Sequence, residues 1–562
     1  MALVPPNDCS VLIVGGGPCG LMLANELGRR GVTAILIDQK PTTAFNPQAN
    51  ATQARTMEHF RRLGLVDEIR ALGLPPDFPT DIAYFTRYSR HELARFQLPS
   101  SREATARIKQ LSGSWSAAEL PHRVSQKFVE QVLRRHAEAL PGIAVHYGWR
   151  LIRFVETAYG IEAEIERVSD GTPHHIRAAY LVGADGPRST VRQALGFGYV
   201  GEEGAVRDFF GGRMFAIYLR APEFYSVVPH SPAWMNVTFN PQRRAFMAAV
   251  DGKGEFAFHT QLRAHEIESE ITPDRALAMF QAARGAPINA EILSFGSWIA
   301  GYALVAERFQ HGRVFIAGDA AHLFTPAGGL GYNTAVEDAV NLGWKLAAVV
   351  RGQAGSSLLA SYQAERQPNA ERNTGYARRF ADSLGLFVPA AEIEEDTPEG
   401  AKARRVAGEY LAAHGRAEFD IPGITFGARY YTSPIIVGDG TEPPPDAANL
   451  YVPSACPGGR APHLWLSSEQ SLYDIFGFEW TLLRLARGAE GQRIAAAAAE
   501  SGLNLKIVDL WRDDARDLYQ AELVLIRPDQ IVAWRGNNDE AGAEVIERVL
   551  GLGTSQMAMT VR

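Results

Sequence analysis

The sequence predicts an α/β fold with an antiparallel sheet set into it and a smaller unit at its end. Three observations carry this expectation. Residues 10–38 read as strand, glycine turn, helix and strand, and residues 314–350 give a second strand-to-helix element. The stretches 84–95 and 209–258 alternate and are rich in aromatic residues, as antiparallel strands are.

The elements follow in order. Ser10 to Val14 is a short buried-strand run. Leu21, Ala24, Leu27 and Gly28 then recur at helical spacing, and Val32 to Ile37 is a second β-branched run. Residues 53–72 predict a charged amphipathic helix that ends at Pro75, Pro76 and Pro79, and residues 123–139 predict another. The acidic, proline-bearing stretch Pro389 to Gly400 reads as a surface segment, and Thr441 to Asp446 as a loop or linker. Leu503 to Leu510, Leu523 to Ile526 and Ile531 to Trp534 predict strands near the end.

Length and composition bound what such a fold is for. At 562 residues, two or three domains are expected. Lys+Arg 56 against Asp+Glu 63, net −7, argues against nucleic acid as a partner. Cys9, Cys19 and Cys456 form no Cys-x-x-Cys and no disulfide framework, as expected of reduced thiols in the cytoplasm. Met1 to Asp8 lacks the basic start and long apolar stretch of a leader, and no run of about 18 apolar residues suggests a membrane span. His174 and His175 have no second ligand pair at zinc-type spacing, so no metal site is expected.

Two glycine-dense turns carry the chemistry. Gly15-Gly-Gly17-Pro18-Cys-Gly20 follows a strand directly and opens a helix. Gly15 suits the tight turn, Gly17 lets backbone N–H groups approach a pyrophosphate, and Gly20 suits close helix packing. The helix N-terminus favours phosphate. Asp38 ends the second strand, where a carboxylate accepts ribose hydroxyls, so the unit reads as a Rossmann-type dinucleotide site better suited to FAD or NAD than to NADP. In the second turn, Gly318-Asp319 ends another strand, and Pro326, Gly328, Gly329, Gly331, Tyr332 and Asn333 follow in a loop able to lie flat on a ligand.

These turns, with Gly183-Ala-Asp185-Gly186-Pro-Arg188 between them, resemble the class A flavin-dependent aromatic monooxygenases, the phenol and para-hydroxybenzoate hydroxylase group. The resemblance extends through Asp338-Ala-Val-Asn341-Leu-Gly-Trp344-Lys345 and Ser361 to Pro368. It implies FAD as cofactor and NADPH or NADH and O₂ as co-substrates. A phenolic ring would be hydroxylated ortho or para to its hydroxyl through a flavin C4a-hydroperoxide. By position, Gly15, Gly17, Pro18 and Gly20 would hold the pyrophosphate and Asp38 the adenosine ribose. Gln126 would contact the flavin, Asp319 the ribityl chain, and Pro326, Gly331, Tyr332 and Asn333 the isoalloxazine side. Asp185 belongs to a motif tied to FAD and the nicotinamide, with a structural ion pair to Arg188 as the other reading.

One departure concerns the base. Gln48 stands where many relatives have arginine, and Asn50 where the phenol hydroxylase branch has aspartate; an amide does not titrate, so Asn50 cannot act as that base. Region 209–260 is the expected substrate pocket, with Arg213, Tyr218, His230 and His259 as candidates to anchor a phenolate or carboxylate. Asn236, Thr238 and Asn240 share one strand face there.

The expected division is 1–395, an FAD domain interleaved with a substrate domain whose sheet lies mainly in 80–122 and 200–300. A connecting segment, 396–425, and a thioredoxin-like domain, 426–562, follow. The tail resemblance rests on Phe426 to Tyr430, Pro457 to His463 and Leu525 to Gly536; without Cys-x-x-Cys it implies a structural role, with subunit contacts in a homodimer. Other FAD oxidases or dehydrogenases on this scaffold, and a non-catalytic flavoprotein, are the competing readings. The nine tryptophans show no Trp-x-Trp halogenase signature.

Overall fold

The computed structural model describes residues 4–203, 209–240 and 242–552. Residues 1–3 of the amino-terminal stretch and 553–562 of the expected last domain lie outside the described residues.

The first sheet has eight strands. Val314–Ile316, Pro173–Gly183, Asp8–Val14, Ala34–Asp38 and Ile143–Tyr147 lie side by side and parallel, Gln310–His311 pairs antiparallel with the first of these, and the hairpin Trp149–Thr157 with Gly160–Arg167 extends the sheet antiparallel from Pro173–Gly183. Val11 to Val14 and Ala34 to Ile37 are wholly buried, because the helices Pro18–Gly28, Gln126–Glu138 and Leu330–Val350 pack here and continuous apolar runs suit a parallel sheet.

The second sheet has seven strands, ordered Glu291–Ala300, Gly212–Arg220, Glu255–Gln261, Ala245–Ala249, Met235–Thr238, Ile82–Phe85 and Glu92–Phe96. It is antiparallel except where Met235–Thr238 runs parallel to Ile82–Phe85. One face buries Phe256 and Phe258 beneath the helix Pro273–Arg284, where Phe280 meets both Phe224 and Phe258. The other face looks back at the first sheet's loops. Residues 97–122 carry a helix, Ser101–Arg107, and 3₁₀ turns rather than strands.

In the last unit the strands Leu505–Asp509, Trp480–Arg484, Leu523–Ile526 and Val532–Gly536 pair in that order, the first pair parallel and the others antiparallel. With the helices Gln492–Glu500, Asp513–Tyr519 and Gly542–Val549 this is the thioredoxin topology.

Three elements differ from expectation. The helix expected over 53–72 is two, Ala54–Arg62 and Val66–Ala71, because Gly64 turns the chain at φ +69°. Trp480–Arg484, the inner strand of the last sheet, was not foreseen: buried on both faces, it shows no alternation. Residues 398–419 form one long helix against the strand Glu92–Phe96, where a surface segment and connection were expected.

Candidate active site

The glycine turn is shaped by its surroundings. A Cβ at Gly15 (φ +114°) would fall 2.1 Å from the Ala184 carbonyl oxygen, and one at Gly20 1.9 Å from that of Gly15. Gly17 differs, because no protein atom lies within 4 Å of its Cβ position. Space is kept there in front of the helix that Pro18 begins. Asp38 closes the turn from below: Oδ2 accepts the Gly16 N–H and Oδ1 the Lys40 N–H, each at 2.7 Å. Both oxygens retain lone pairs for another donor.

The second turn is built on Asp338. Its Oδ2 accepts from the Gly318 N–H at 3.0 Å and meets His322 Nε2 at 2.6 Å, while its Oδ1 accepts from Arg366 Nε at 2.7 Å. Asp338, His322 and Arg366 are fully buried; burial raises the Asp338 carboxyl, but His322 and the Arg366 guanidinium beside it hold it below the usual range. Neighbouring Asp319 is open to solvent, yet protein mass around it raises its carboxyl; such a group lines a deep crevice. Asn333 stitches two loops together, accepting from Gln53 N and Thr56 Oγ1 and donating to the Ala51 and Gly329 carbonyls. Pro326, Gly331 and Tyr332 lie on the crevice side of this loop or at its rim, none of them fully buried.

A third loop, 44–50, closes the crevice. The Gln126 N–H donates to the Ala49 carbonyl at 2.7 Å, its amide donates to Glu130 and Gln48, and Glu130 Oε2 accepts the Ala44 N–H at 2.8 Å. Asn50 Oδ1 is buried with no protein hydrogen-bond partner. At the end of Pro173–Gly183, Asp185 Oδ2 accepts the N–H groups of Thr190 and Val191, capping the helix Thr190–Ala194. That replaces the ion pair with Arg188 as its structural role.

Opposite these loops stands the open face of the second sheet. Register places Met214, Ala216 and Tyr218 beside Ala257 and His259 on one side and Gly296 and Trp298 on the other, with Phe246 beyond His259. Tyr218 accepts from Lys127 Nζ at 2.5 Å, donates to Glu255 Oε2, and touches the ring of Phe45. Ser294 Oγ donates to Asn46 Oδ1 at 2.5 Å. These contacts tie the face to the helix Gln126–Glu138 and to the 44–50 loop. Between these contacts the sheet face presents the small residues Ala216 and Gly296 beside the aromatic side chains of Phe246, His259 and Trp298, all only partly buried.

Two anchoring candidates stand elsewhere. Arg213 falls on the other side of the strand alternation, exposed, and pairs with Glu268 at 2.7 Å. His230 bonds the Arg90 carbonyl and packs on Phe85, toward the far edge of the sheet. Asn236, Thr238 and Asn240 do share a face, but it is buried and satisfied internally. Trp298, Lys127 and Glu255 were not singled out by the sequence; for Trp298 the period of two through Ser294 and Gly296 was the available signal.

A carbon-free approach at Gly17, a carboxylate at each of two strand ends, and the unpartnered Asn50 amide oxygen fit a flavin dinucleotide along this crevice. Comparison with known proteins agrees. Residues 8–377 match the FAD binding domain family, and residues 454–552 the carboxy-terminal domain of aromatic-ring hydroxylases. Aklavinone 12-hydroxylase RdmE of Streptomyces purpurascens is 30% identical over 97% of this chain and 98% of its own. Phenol 2-monooxygenase of a Pseudomonas species is 28% identical over 96% and 91%. The rebeccamycin biosynthetic enzyme RebC, in a structure with reduced flavin, superposes with a TM-score of 0.86 at 31% identity, covering 98% of this chain and all of that one. Among the described residues no helix is long and apolar enough to cross a membrane.

Proposed function

The chain belongs to the FAD-dependent aromatic-ring hydroxylases, and on that premise we propose that it hydroxylates a flat phenolic substrate ortho or para to its hydroxyl, using NADPH or NADH and O₂. The observation that carries this reading is the partly buried stretch of sheet face where Ala216 and Gly296 stand beside Phe246, His259 and Trp298, which we read as the floor and walls of a slot for a flat ring. Bound FAD supplies the redox chemistry, passing electrons from the nicotinamide to O₂.

The protein's share is binding, orientation and exclusion of water. The Gly17 N–H and the helix behind it would hold the pyrophosphate, Asp38 would take the ribose hydroxyls, and Asp319 would take the ribityl chain. Gln126 and Asn333 set two loops that would flank the ring system, with Tyr332 on the second of them, and Asp185 sets the turn before the helix Thr190–Ala194. Small floor residues let an aromatic ring lie flat, and the aromatic walls hold it near the flavin while keeping water out. Asn50 offers an amide oxygen to a donor and takes no proton; movement of a phenol proton falls to other groups.

The decisive experiment is turnover. Purified FAD-loaded protein is screened with phenols for stimulated nicotinamide oxidation, and the product is identified by mass spectrometry after reaction with isotopically labelled O₂. Incorporation of label supports the proposal; conversion of substrate without O₂ would sink it. Asp319→Ala is expected to lose most bound flavin, and full occupancy in that variant contradicts the ribityl assignment.

A further inference from the structure

His259 stands on Glu255–Gln261, half-open above the slot floor, with its imidazole stacked on Phe246 at 4.5 Å and 7°. Directly beside it in register is Ala216, whose single methyl leaves room for the ring to reach across to Trp298 on the next strand but one. There the Trp298 Nε1–H donates to His259 Nδ1 at 3.2 Å.

That bond settles the tautomer. An indole N–H only donates, so Nδ1 carries the lone pair, and in a neutral imidazole the proton then sits on Nε2. Burial pushes the ring down to about 4, so it is neutral at physiological pH. Nε2 is at the far end of the ring, away from the backbone. A donor fixed in this way does not accept a proton from the substrate.

Resting on the pocket reading above, we propose that His259 is a specificity residue whose Nε2–H, locked by Trp298, selects aromatic substrates that carry a second acceptor oxygen such as a ring carbonyl. A substrate without that oxygen leaves the N–H unpaired once water is displaced. Such an unpaired donor is the penalty by which polar sites reject isosteres. A ring carbonyl engaged by His259 also leaves the phenolic hydroxyl free to face the flavin.

The test uses the FAD-loaded enzyme and the change in flavin absorbance on binding. The probes are matched pairs: hydroxyfluorenone with the corresponding hydroxyfluorene, and hydroxytetralone with the corresponding tetrahydronaphthol. The wild-type protein is expected to bind each ketone about tenfold tighter than its partner, and His259→Phe to remove that preference while retaining flavin. Trp298→Phe frees Nδ1, so the preference should fall there too, and this variant decides the matter if His259→Phe does not hold FAD. Equal binding within the pairs by the wild type overturns the proposal and leaves the pocket intact. So does a preference that survives both substitutions. If no probe perturbs the flavin, the pocket reading falls and the proposal with it.

Discussion

Arg366 and Asp338 form a fully buried ion pair, with Nε and Oδ1 2.7 Å apart, beside the Gly318-Asp319 turn that Asp338 supports. Asp338 passes this contact to the Gly318 N–H, next to Asp319, while Arg366 donates through Nη1 to Tyr430 Oη at 2.7 Å and to Glu337 at 3.0 Å. A segment far along the chain thus reaches the Gly318-Asp319 turn through two side chains.

Asp338→Asn removes the buried anion from this arrangement and leaves Arg366 the rim carboxylate Glu337 and its neutral partners Tyr430 and Thr334. Breaking one side of a buried pair costs about 3 kcal/mol or more. The expected outcome is a lower unfolding midpoint together with weaker FAD retention, read by denaturant titration and by flavin released on dilution. Loss of stability with unchanged flavin affinity would separate Asp338 from the cofactor turn.

Gly17→Ala and Gly20→Ala should behave oppositely. The new methyl at Gly17 meets no protein atom and the backbone there is extended, so the flavin-free protein should unfold as the wild type does while FAD binding is lost. At Gly20 the methyl collides with the Gly15 carbonyl, so the fold itself should weaken. Comparing unfolding curves with and without FAD distinguishes the two.

The strand, glycine turn and helix at residues 8–28, the strand that ends at Asp38 and the strand before Gly318 were legible because each pattern is set by residues close together in the chain. Anchoring residues on the second sheet were not. Alternation sorts Arg213 from Met214, Ala216 and Tyr218, but which side packs toward the 44–50 loop is decided across the molecule, through Lys127, Phe45 and Asn46. For the same reason His259 and His230 read alike in sequence, though one lines the slot and the other closes a distant edge. The Asp338–Arg366 pair joins two helices whose partnership has no local signature, and the strand Trp480–Arg484 hides because burial on both faces erases its period.

Arg527 ties the carboxy-terminal unit to the flavin domain. It donates to both oxygens of Glu365, at 2.6 and 2.9 Å, and to Asp529, and Lys345 completes the cluster on Glu365 at 2.7 Å. Arg527→Met strands carboxylates in the interior and is expected to destabilise the protein by about 3–5 kcal/mol. Adding Glu365→Gln should restore part of that loss, since the two residues share one interaction. Simple additivity of the two single losses would argue against a coupled interface.

Stability should fall on the acid side from two sets of groups in turn. His122 and His463 are buried, and burial, the largest cause in each, pushes both rings down to about 3; His59 and His259 are lowered by burial too and act in the same direction. A folded value below the unfolded one, about 6.5, means that the unfolded chain takes up protons first. Their contribution is therefore complete above about pH 6.5 and is lost as pH falls toward 3, at up to about 1.4 kcal/mol per pH unit for each group. Glu58, Asp338 and Glu365, whose carboxyls are held down by their arginine, lysine or histidine partners, act in the same direction but begin only near the ordinary carboxylate range, about 4.3. Between pH 6.5 and 5 the histidines should thus dominate the slope. Unfolding midpoints measured across this interval are expected to decline in the wild type and to flatten in His122→Gln, His463→Gln and, further, the double variant. An unchanged slope in the double variant would show that these rings are not the groups that titrate on unfolding.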